Sequence, residues 1–204
     1  VLEGFDRYKP FSAPREETDR WREEARKAAE EADVVVMPLG EHCFQSGEAA
    51  SRAFIEIPEI QQDLFRAVSE VNPNVVAVIF SGRPLDLRVI SERSRAVLSV
   101  WMPGMEGGRA IIDVLTGTRT PSGKLPMSFP YCVGQVPVHY DSLMTGRPYR
   151  KGKPERYVSR YQDIPADPLY SFGYGLTYTS MELSEVHLSK DELMPGEEIE
   201  ASVT

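Results

Sequence analysis

The sequence predicts an α/β fold: a mainly parallel sheet sandwiched by helices, then a long irregular arm and the start of an all-β module. Three observations support this prediction. Continuous apolar runs alternate with segments of helical periodicity between residues 16 and 115, which is typical of a parallel sheet covered on both faces. Residues 130–180 are rich in Pro, Gly, Tyr and Arg and show little periodicity. From Met181 onward, alternating polar and apolar residues indicate strands.

The first predicted elements are a helix and a buried strand. A helix from Glu16 to Ala32 is predicted because its apolar residues fall on one face at helical spacing. These residues are Trp21, Ala25, Ala28, Ala29 and Ala32. The apolar run that ends at Gly40-Glu41 predicts a buried strand at about residues 33–39. Residues 1–14 have mixed composition and contain prolines, so we expect a loop there.

A second helix and two more strands follow. Pro58 suits the first turn of a helix, because its missing N–H costs nothing there. Apolar residues at helical intervals continue this helix until Asn72-Pro73 ends it. The apolar runs at 75–80 and 96–101 predict the second and third strands, with a short helical segment between them.

A glycine-rich turn, residues 103–108, separates the third strand from a predicted helix at Arg109–Leu115. A phosphate-binding loop often lies at this position in α/β folds. The turn matches neither the dinucleotide pattern nor the P-loop lysine pattern. In addition, the charge of Glu106 would compete with a phosphate at the helix start. We therefore interpret it as a tight structural turn.

The chain divides into three predicted parts. Residues 1–130 form an α/β domain, incomplete at its N-terminus, and residues 131–180 form a wrapping arm or linker. A loop of that length is unusual inside a compact domain and is often functional. Its many tyrosines could hold sugar rings, although such residues more often fix an arm to a domain by burial. Residues 181–204 begin a truncated β module. Because the chain starts at Val1 and stops within a strand-like pattern, we expect both ends to be cut.

Composition excludes several classes of function. The formal net charge of −8 comes with no basic stripe, so we expect no nucleic-acid partner. No apolar run approaches the roughly 20 residues that a membrane span needs. Cys43 and Cys132 have no paired spacing, and the three histidines have no regular spacing with them. We therefore expect neither a disulfide framework nor a metal site, and no cofactor.

The polar loop after the first strand is the main candidate site. Sheets of this class place ligand sites at the carboxyl ends of their strands. Glu48, between Gly47 and Ala49, has room for a close ligand and is the candidate acid; the alternative is a solvated loop carboxylate. Glu41 is the runner-up acid, or a strand-end residue that pairs with Arg52 or Arg83. No nucleophile-elbow pattern surrounds the serines, which argues against a serine mechanism.

Eleven short landmarks occur in a recognisable order between about residues 30 and 180. They are Gly40-Glu41, Ser46-Gly47-Glu48-Ala49-Ala50-Ser51-Arg52, Ile57-Pro58, Gln61-Gln62-Asp63-Leu64, Ser81-Gly82-Arg83-Pro84-Leu85, Trp101-Met102-Pro103-Gly104-Met105-Glu106-Gly107-Gly108, Pro121-Ser122-Gly123-Lys124-Leu125-Pro126, Val133-Gly134-Gln135-Val136-Pro137, Thr145-Gly146-Arg147-Pro148-Tyr149, Ser159-Arg160-Tyr161 and Phe172-Gly173-Tyr174-Gly175-Leu176-Thr177-Tyr178. As an ordered set, they make the chain resemble the C-terminal half of glycoside hydrolase family 3, within it the bacterial β-glucosidases of the periplasmic type.

The resemblance implies a parent with three modules: a (β/α)8-type barrel, an α/β sandwich and a fibronectin-type-III-like β-sandwich. This chain would hold most of the second module and the start of the third. The family hydrolyses terminal β-linked sugars with retention, which needs two carboxyl groups about 5–5.5 Å apart. Glu48 matches the acid/base glutamate, and Ser46 and Arg52 of the same motif are candidate substrate-binding residues. The nucleophile, an aspartate of the barrel, has no counterpart in this chain.

The favoured function is therefore the acid/base-supplying domain of a retaining exo-β-glycosidase, inactive by itself. Its partners would be a β-glucoside or β-linked oligosaccharide and the missing N-terminal barrel. A periplasmic or secreted location is favoured by the resemblance alone. The alternative is a non-catalytic carbohydrate-binding or regulatory module of the same fold. A nucleotide-binding domain is disfavoured by the poor glycine motif and the acidic charge.

Overall fold

The computed structural model describes residues 14–152 and 155–204. The loop expected at residues 1–14 therefore lies outside the described residues, apart from Pro14. The helices and strands, in chain order, are α1 (Arg15–Glu31), β1 (Val35–Gly40), α2 (Glu59–Val71), β2 (Val75–Phe80), α3 (Arg88–Arg93), β3 (Ala96–Trp101), α4 (Gly107–Leu115), β4 (His187–Leu188) and β5 (Ala201–Ser202). Two short 3-10 turns occur at Cys43–Gln45 and Val133–Gln135.

The predicted parallel sheet is confirmed. β1, β2 and β3 lie in that order and all pairs are parallel, with Gly40 beside Phe80 at the carboxyl ends of β1 and β2. The central strand β2 reads as an apolar run because it is covered on both sides by neighbouring chain. Its residues Val75, Ala77 and Ile79 are fully buried.

The core lies on one face of this sheet. Ala77 and Ile79 of β2 pack in one cluster with Phe65 and Val68 of α2 and Ile90 of α3. The strands follow each other in spatial order, so right-handed crossovers place α2 and α3 on the same face. On β1, alternate side chains point to the opposite face, and Val36 there is 47% exposed. The sequence predicted helices on both faces of the sheet, and these contacts show the helical cover of the core face.

Helix α4 begins two residues earlier than the sequence predicts. Gly107 and Gly108 belong to the helix rather than to the preceding turn. The amide of Ala110 donates to the carbonyl of Glu106 at 3.0 Å, which closes the first helical turn. This hydrogen bonding outweighs the low intrinsic helix propensity of the two glycines.

Two side-chain amides fix the ends of α2 to neighbouring elements. Asn72, which follows α2, is buried and donates to the carbonyls of Ala29 and Ala32 at 2.9 and 2.6 Å. These bonds supply donor partners at the end of α1, where the last carbonyls of a helix have few partners within the helix itself. At the other end of α2, Gln61 accepts from the amide of Gly40 at 2.8 Å and donates to its carbonyl at 3.0 Å. The end of β1 is therefore held against the start of α2.

The end of β1 requires glycine. Gly40 has a φ of +144°, and a Cβ built there would lie 1.8 Å from the carbonyl oxygen of Phe80. A side chain at this position is therefore excluded both by the backbone conformation and by the neighbouring strand. Gly40 thus sets the point at which the chain leaves the sheet and enters the loop that carries the predicted acid.

The segment after residue 130 is mostly irregular, and several of its residues are fixed to the α/β part. Tyr170 pairs with Phe129 through backbone hydrogen bonds, and its hydroxyl lies 2.6 Å from the Ser91 hydroxyl. The Tyr178 hydroxyl donates to the carbonyl of Val114 at 2.8 Å. Hydrogen bonds therefore fix these two tyrosines in place, whereas a sugar-holding role for the others stays a prediction.

The C-terminal residues form a two-stranded antiparallel pair, β4 with β5. A turn lies between these strands, where the amide of Glu197 donates to the carbonyl of Met194 at 3.0 Å. The Glu197 carboxylate accepts from the Met194 amide and from Lys190, and these contacts lower the pKa of Glu197. Two strands of two residues do not make a sandwich, so the fibronectin-type-III-like module stays a prediction, as do the three domain boundaries.

Within the described ranges, no helix is long and apolar enough to cross a membrane. The same residues contain no group of three or more His, Cys, Asp or Glu side chains arranged to hold a metal ion. Cys43 is exposed and Cys132 is half-buried, and both are free thiols.

Candidate functional site

The predicted site residues lie on the loop that joins β1 to α2, at the carboxyl end of the sheet. The loop begins with the Cys43–Gln45 turn, where the Gln45 side chain accepts from the His42 amide at 2.9 Å. It then packs against the loop that follows β2. A Cβ built on Gly82 would lie 1.9 Å from the Ser46 hydroxyl oxygen, so a larger residue there would force the Ser46 side chain to move.

Glu48 lies at the exposed tip of this loop, in a tight turn. The amide of Ala50 donates to the carbonyl of Gly47 at 3.2 Å and closes the turn. Glu48 therefore projects from a short, hydrogen-bonded bend at the edge of the sheet where α/β proteins place their ligands.

The residue after Glu48 has an unusual backbone. Ala49 has a φ of 58°, in the left-handed region, although it carries a Cβ. That conformation costs about 1–2 kcal/mol for a residue other than glycine. Strain of this kind is concentrated at functional sites, where the surrounding structure imposes it.

We expect Ala49→Gly to increase the free energy of unfolding by about 0.5–1 kcal/mol, since relief of the left-handed strain exceeds the added backbone entropy. Urea unfolding followed by circular dichroism measures this difference. Ala53→Gly is the matched control, because Ala53 is exposed in the same loop and is absent from the residues with positive φ. The control should be neutral or destabilising. Equal losses of stability in both variants would contradict the assignment of strain to Ala49.

Glu41 is the charged centre of a buried cluster beneath the loop. Its side chain is fully buried. One carboxylate oxygen lies 2.9 Å from Nη1 of Arg52 and 3.1 Å from Nε of Arg83. The sequence left open a pairing with either arginine, and the structure shows both. The two guanidinium groups compensate the negative charge of this buried carboxylate. The charge of Glu41 therefore stabilises contacts within the protein.

The same two arginines also bind loop backbone. Nη2 of Arg83 donates to the carbonyl of Gln45 at 2.7 Å and to that of Ala50 at 2.8 Å. Nη2 of Arg52 donates to the carbonyl of Glu56 at 3.0 Å. Together, these bonds hold the backbone on both sides of Glu48. The sequence offered Arg83 only as a possible partner of Glu41, and its backbone targets, 38 and 33 residues away, give no sequence signal.

The two candidate substrate-binding residues have protein partners. Arg52 donates hydrogen bonds to the Glu41 carboxylate and the Glu56 carbonyl. Ser46 is half-buried against Gly82. Direct contact of Ser46 or Arg52 with a sugar stays a prediction, as does the acid role of Glu48.

A cleft of about 980 Å³ opens beside this loop, between α1 and α2. Trp21, Arg52, Phe54 and Gln61 are among its lining residues, and Glu48 lies outside them. Glu48 is therefore exposed to solvent and does not line this cleft. A site that encloses a sugar at Glu48 needs walls from elsewhere.

A second ion pair joins Asp86, on the loop between β2 and α3, to Arg88, the first residue of α3. Nη2 of Arg88 is 2.7 Å from a carboxylate oxygen of Asp86, whose side chain is 5% exposed. The hydrogen bonds that Arg88 donates to the Asp86 carboxylate raise the pKa of Arg88. The Arg88 side-chain bonds all go to Asp86, so this pair stabilises its own loop.

Comparison with known proteins agrees with the landmarks in the sequence. Residues 5–178 match the glycosyl hydrolase family 3 C-terminal domain. The chain is 48% identical over 181 residues to the periplasmic β-glucosidase of Salmonella typhimurium, covering 89% of this chain and 24% of that protein. It is 35% identical over 163 residues to a β-xylosidase of Formosa agariphila, covering 78% of this chain and 21% of that protein.

A solved structure supports the same relationship. The crystal structure of β-glucosidase from Listeria innocua in complex with glucose has a TM-score of 0.79 and 44% sequence identity, with 87% of this chain and 25% of that chain covered. The chain spans about a quarter of the length of these relatives. A domain match over most of the chain and the high identity to several glycosidases lead to one conclusion. This chain belongs to glycosyl hydrolase family 3 and carries its C-terminal domain.

Proposed function

We propose that this chain supplies Glu48 as the general acid/base of a retaining β-glycosidase of the β-glucosidase type. The observation that supports this role is the position of Glu48, exposed at the tip of a braced loop at the carboxyl edge of a family 3 domain. The nucleophile would come from a barrel domain outside the chain. The site would thus be divided between two domains, which explains why Glu48 faces open solvent here.

In this mechanism, the nucleophilic carboxylate attacks the anomeric carbon while the Glu48 carboxylic acid protonates the departing glycosidic oxygen. The C–O bond to the leaving group breaks and a glycosyl ester forms. The Glu48 carboxylate then takes a proton from the water that attacks this ester, which regenerates both carboxyl groups. Two inversions give net retention.

The domain assignment follows the same proposal. Residues 1–130 would form the α/β sandwich domain, 131–180 an arm, and 181–204 the start of a fibronectin-type-III-like module. The substrates would be β-glucosides or β-linked oligosaccharides, in line with the names of the relatives. A periplasmic or secreted location is in line with the Salmonella relative, whose name states a periplasmic one.

The test is a chimera in which all 204 residues of this chain replace the matching quarter of the Listeria innocua enzyme. We expect it to hydrolyse aryl β-glucosides, while the isolated chain does not, because one carboxyl group of the pair is missing from it. In Glu48→Ala, the glycosyl ester should accumulate with an activated substrate, because no base remains to deprotonate water.

Azide identifies the acid/base residue in that variant. As an anion, it attacks the glycosyl ester without losing a proton, so Glu48→Ala should release a β-glucosyl azide. The matched control is Glu59→Ala, an exposed glutamate at the start of α2, which should give hydrolysis and no azide product. Unimpaired hydrolysis by Glu48→Ala, again without the azide, would exclude Glu48 as the acid/base.

A further inference from the structure

We propose that Arg83 is a positioning residue that holds the Glu48 loop in its productive geometry; this inference rests on the proposed function. Its guanidinium group donates from one nitrogen to the carbonyls of Gln45 and Ala50 at 2.7 and 2.8 Å. These carbonyls lie on opposite sides of the turn that carries Glu48. One side chain thus ties together the two ends of the acid loop.

The cluster keeps this guanidinium fixed. Nε of Arg83 donates to the Glu41 carboxylate, at 3.3 Å to one oxygen, and lies 3.1 Å from the other. The Arg83 side chain is 23% exposed and the Glu41 side chain is fully buried. Bonds of a charged donor in a partly buried site are stronger than neutral ones. Glu41 therefore orients Arg83, and Arg83 orients the loop.

The loop tip depends on such external support. The Cβ position of Gly47 has no atom within 4 Å, and both Gly47 and Glu48 are exposed. Ala49 is held in the strained left-handed region, which a loop free to relax would leave. The contacts that impose this geometry are those at the ends of the turn, where Arg83 binds.

Positioning matters because proton transfer is sensitive to distance. A displacement of about 1 Å in a reacting group can reduce the rate 10²-fold. Loss of the Arg83 bonds would release the loop without removing the carboxyl group. Lysine keeps the charge but presents a single point donor instead of a planar fork, so Arg83→Lys should retain part of the function.

The test compares two substrates in the chimera. Glycosylation by an alkyl β-glucoside needs a proton from Glu48, whereas 2,4-dinitrophenolate leaves without one. We expect Arg83→Ala to lower kcat/KM for the alkyl glucoside about 10- to 100-fold more than for the dinitrophenyl glucoside. Arg83→Lys should give an intermediate ratio.

Arg88→Ala is the matched control. It removes the arginine that begins α3, directly after the loop that carries Arg83. Arg88 is also paired with a buried carboxylate, that of Asp86, and its side-chain bonds go to that partner alone. The substitution should lower both kcat/KM values in the same proportion, as a loss of folded protein does. If Arg83→Ala folds poorly, the ratio is measured on Arg83→Lys and amide hydrogen exchange is compared across residues 45–50.

The outcomes separate the two proposals. A changed ratio in both Glu48→Gln and Arg83→Ala, with faster exchange at 45–50 in the Arg83 variants, supports the positioning role. If Glu48→Gln changes the ratio of the two kcat/KM values, but Arg83→Ala and Arg83→Lys give the same ratio as the control Arg88→Ala, only the role of Arg83 is overturned. An unchanged ratio in Glu48→Gln overturns the proposed function and, with it, the positioning role.

Discussion

Glu48→Gln in the chimera should lower kcat/KM for an alkyl β-glucoside about 10²- to 10⁴-fold, the usual contribution of a general acid. Glutamine has nearly the shape of glutamic acid but has no proton to give to the leaving oxygen. The same variant should keep kcat/KM for 2,4-dinitrophenyl β-glucoside close to the parent value, because this leaving group departs as a stable anion. The expected result is thus a change in the ratio of kcat/KM for the alkyl glucoside to kcat/KM for the dinitrophenyl glucoside.

Initial rates at low substrate concentration measure this ratio, since kcat/KM reports steps up to formation of the glycosyl ester. Glu59→Gln is the control for loss of an exposed carboxylate in the same domain, and both rates should stay near the parent values. If Glu48→Gln slowed both substrates equally, the residue would act in binding or folding, and the non-catalytic module would become the better interpretation.

Glu41→Gln should lower the free energy of unfolding by about 3–5 kcal/mol, the usual cost of breaking a buried ion pair by removing one partner. The Glu41 side chain is fully buried, while Arg52 and Arg83 are 21% and 23% exposed. Without the carboxylate, two guanidinium groups share a poorly solvated space with no compensating charge. Glutamine can accept a hydrogen bond from one of them but supplies no charge.

Thermal and urea unfolding of the chain measure this loss. For a chain of this size, it corresponds to a fall of about 10 °C in Tm. Glu59→Gln should stay within about 0.5 kcal/mol of the parent, as exposed substitutions do. A double variant, Glu41→Gln with Arg52→Ala, should lose less than the sum of the two single changes, because the partners are coupled. Strict additivity would show that the cluster does not act as a unit.

The sequence predicted most of the α/β framework. The strands at 75–80 and 96–101 occur where the apolar runs lie, and the first two helices follow their apolar periodicity closely. These signals are reliable because each element must bury one face against the core. That requirement determines the spacing of apolar residues along the element. Helix α4 starts earlier than predicted. The low helix propensity of glycine suggested a start at Arg109, whereas the helix begins at Gly107.

The candidate site was predictable only in part. The strand end and the small residues around Glu48 located the loop, and the ordered landmarks gave the family. The sequence did not reveal that Glu41 pairs with both arginines, or that Arg83 binds the loop backbone. It also could not show that Ala49 has a left-handed backbone, because alanine carries no signal for that conformation.

The sequence by itself determined the class of fold, the family and the position of Glu48 at a strand end. The tertiary structure decided how the loop is held: Glu41 contacts Arg83 across 42 residues, and Arg83 reaches carbonyls 38 and 33 residues away. Such pairs follow from the register that places Gly40 beside Phe80 and brings two loops to one edge of the sheet. The periodicity of apolar residues indicates which face of an element packs against the core. Contacts between loops depend instead on which strand ends lie side by side in the folded sheet.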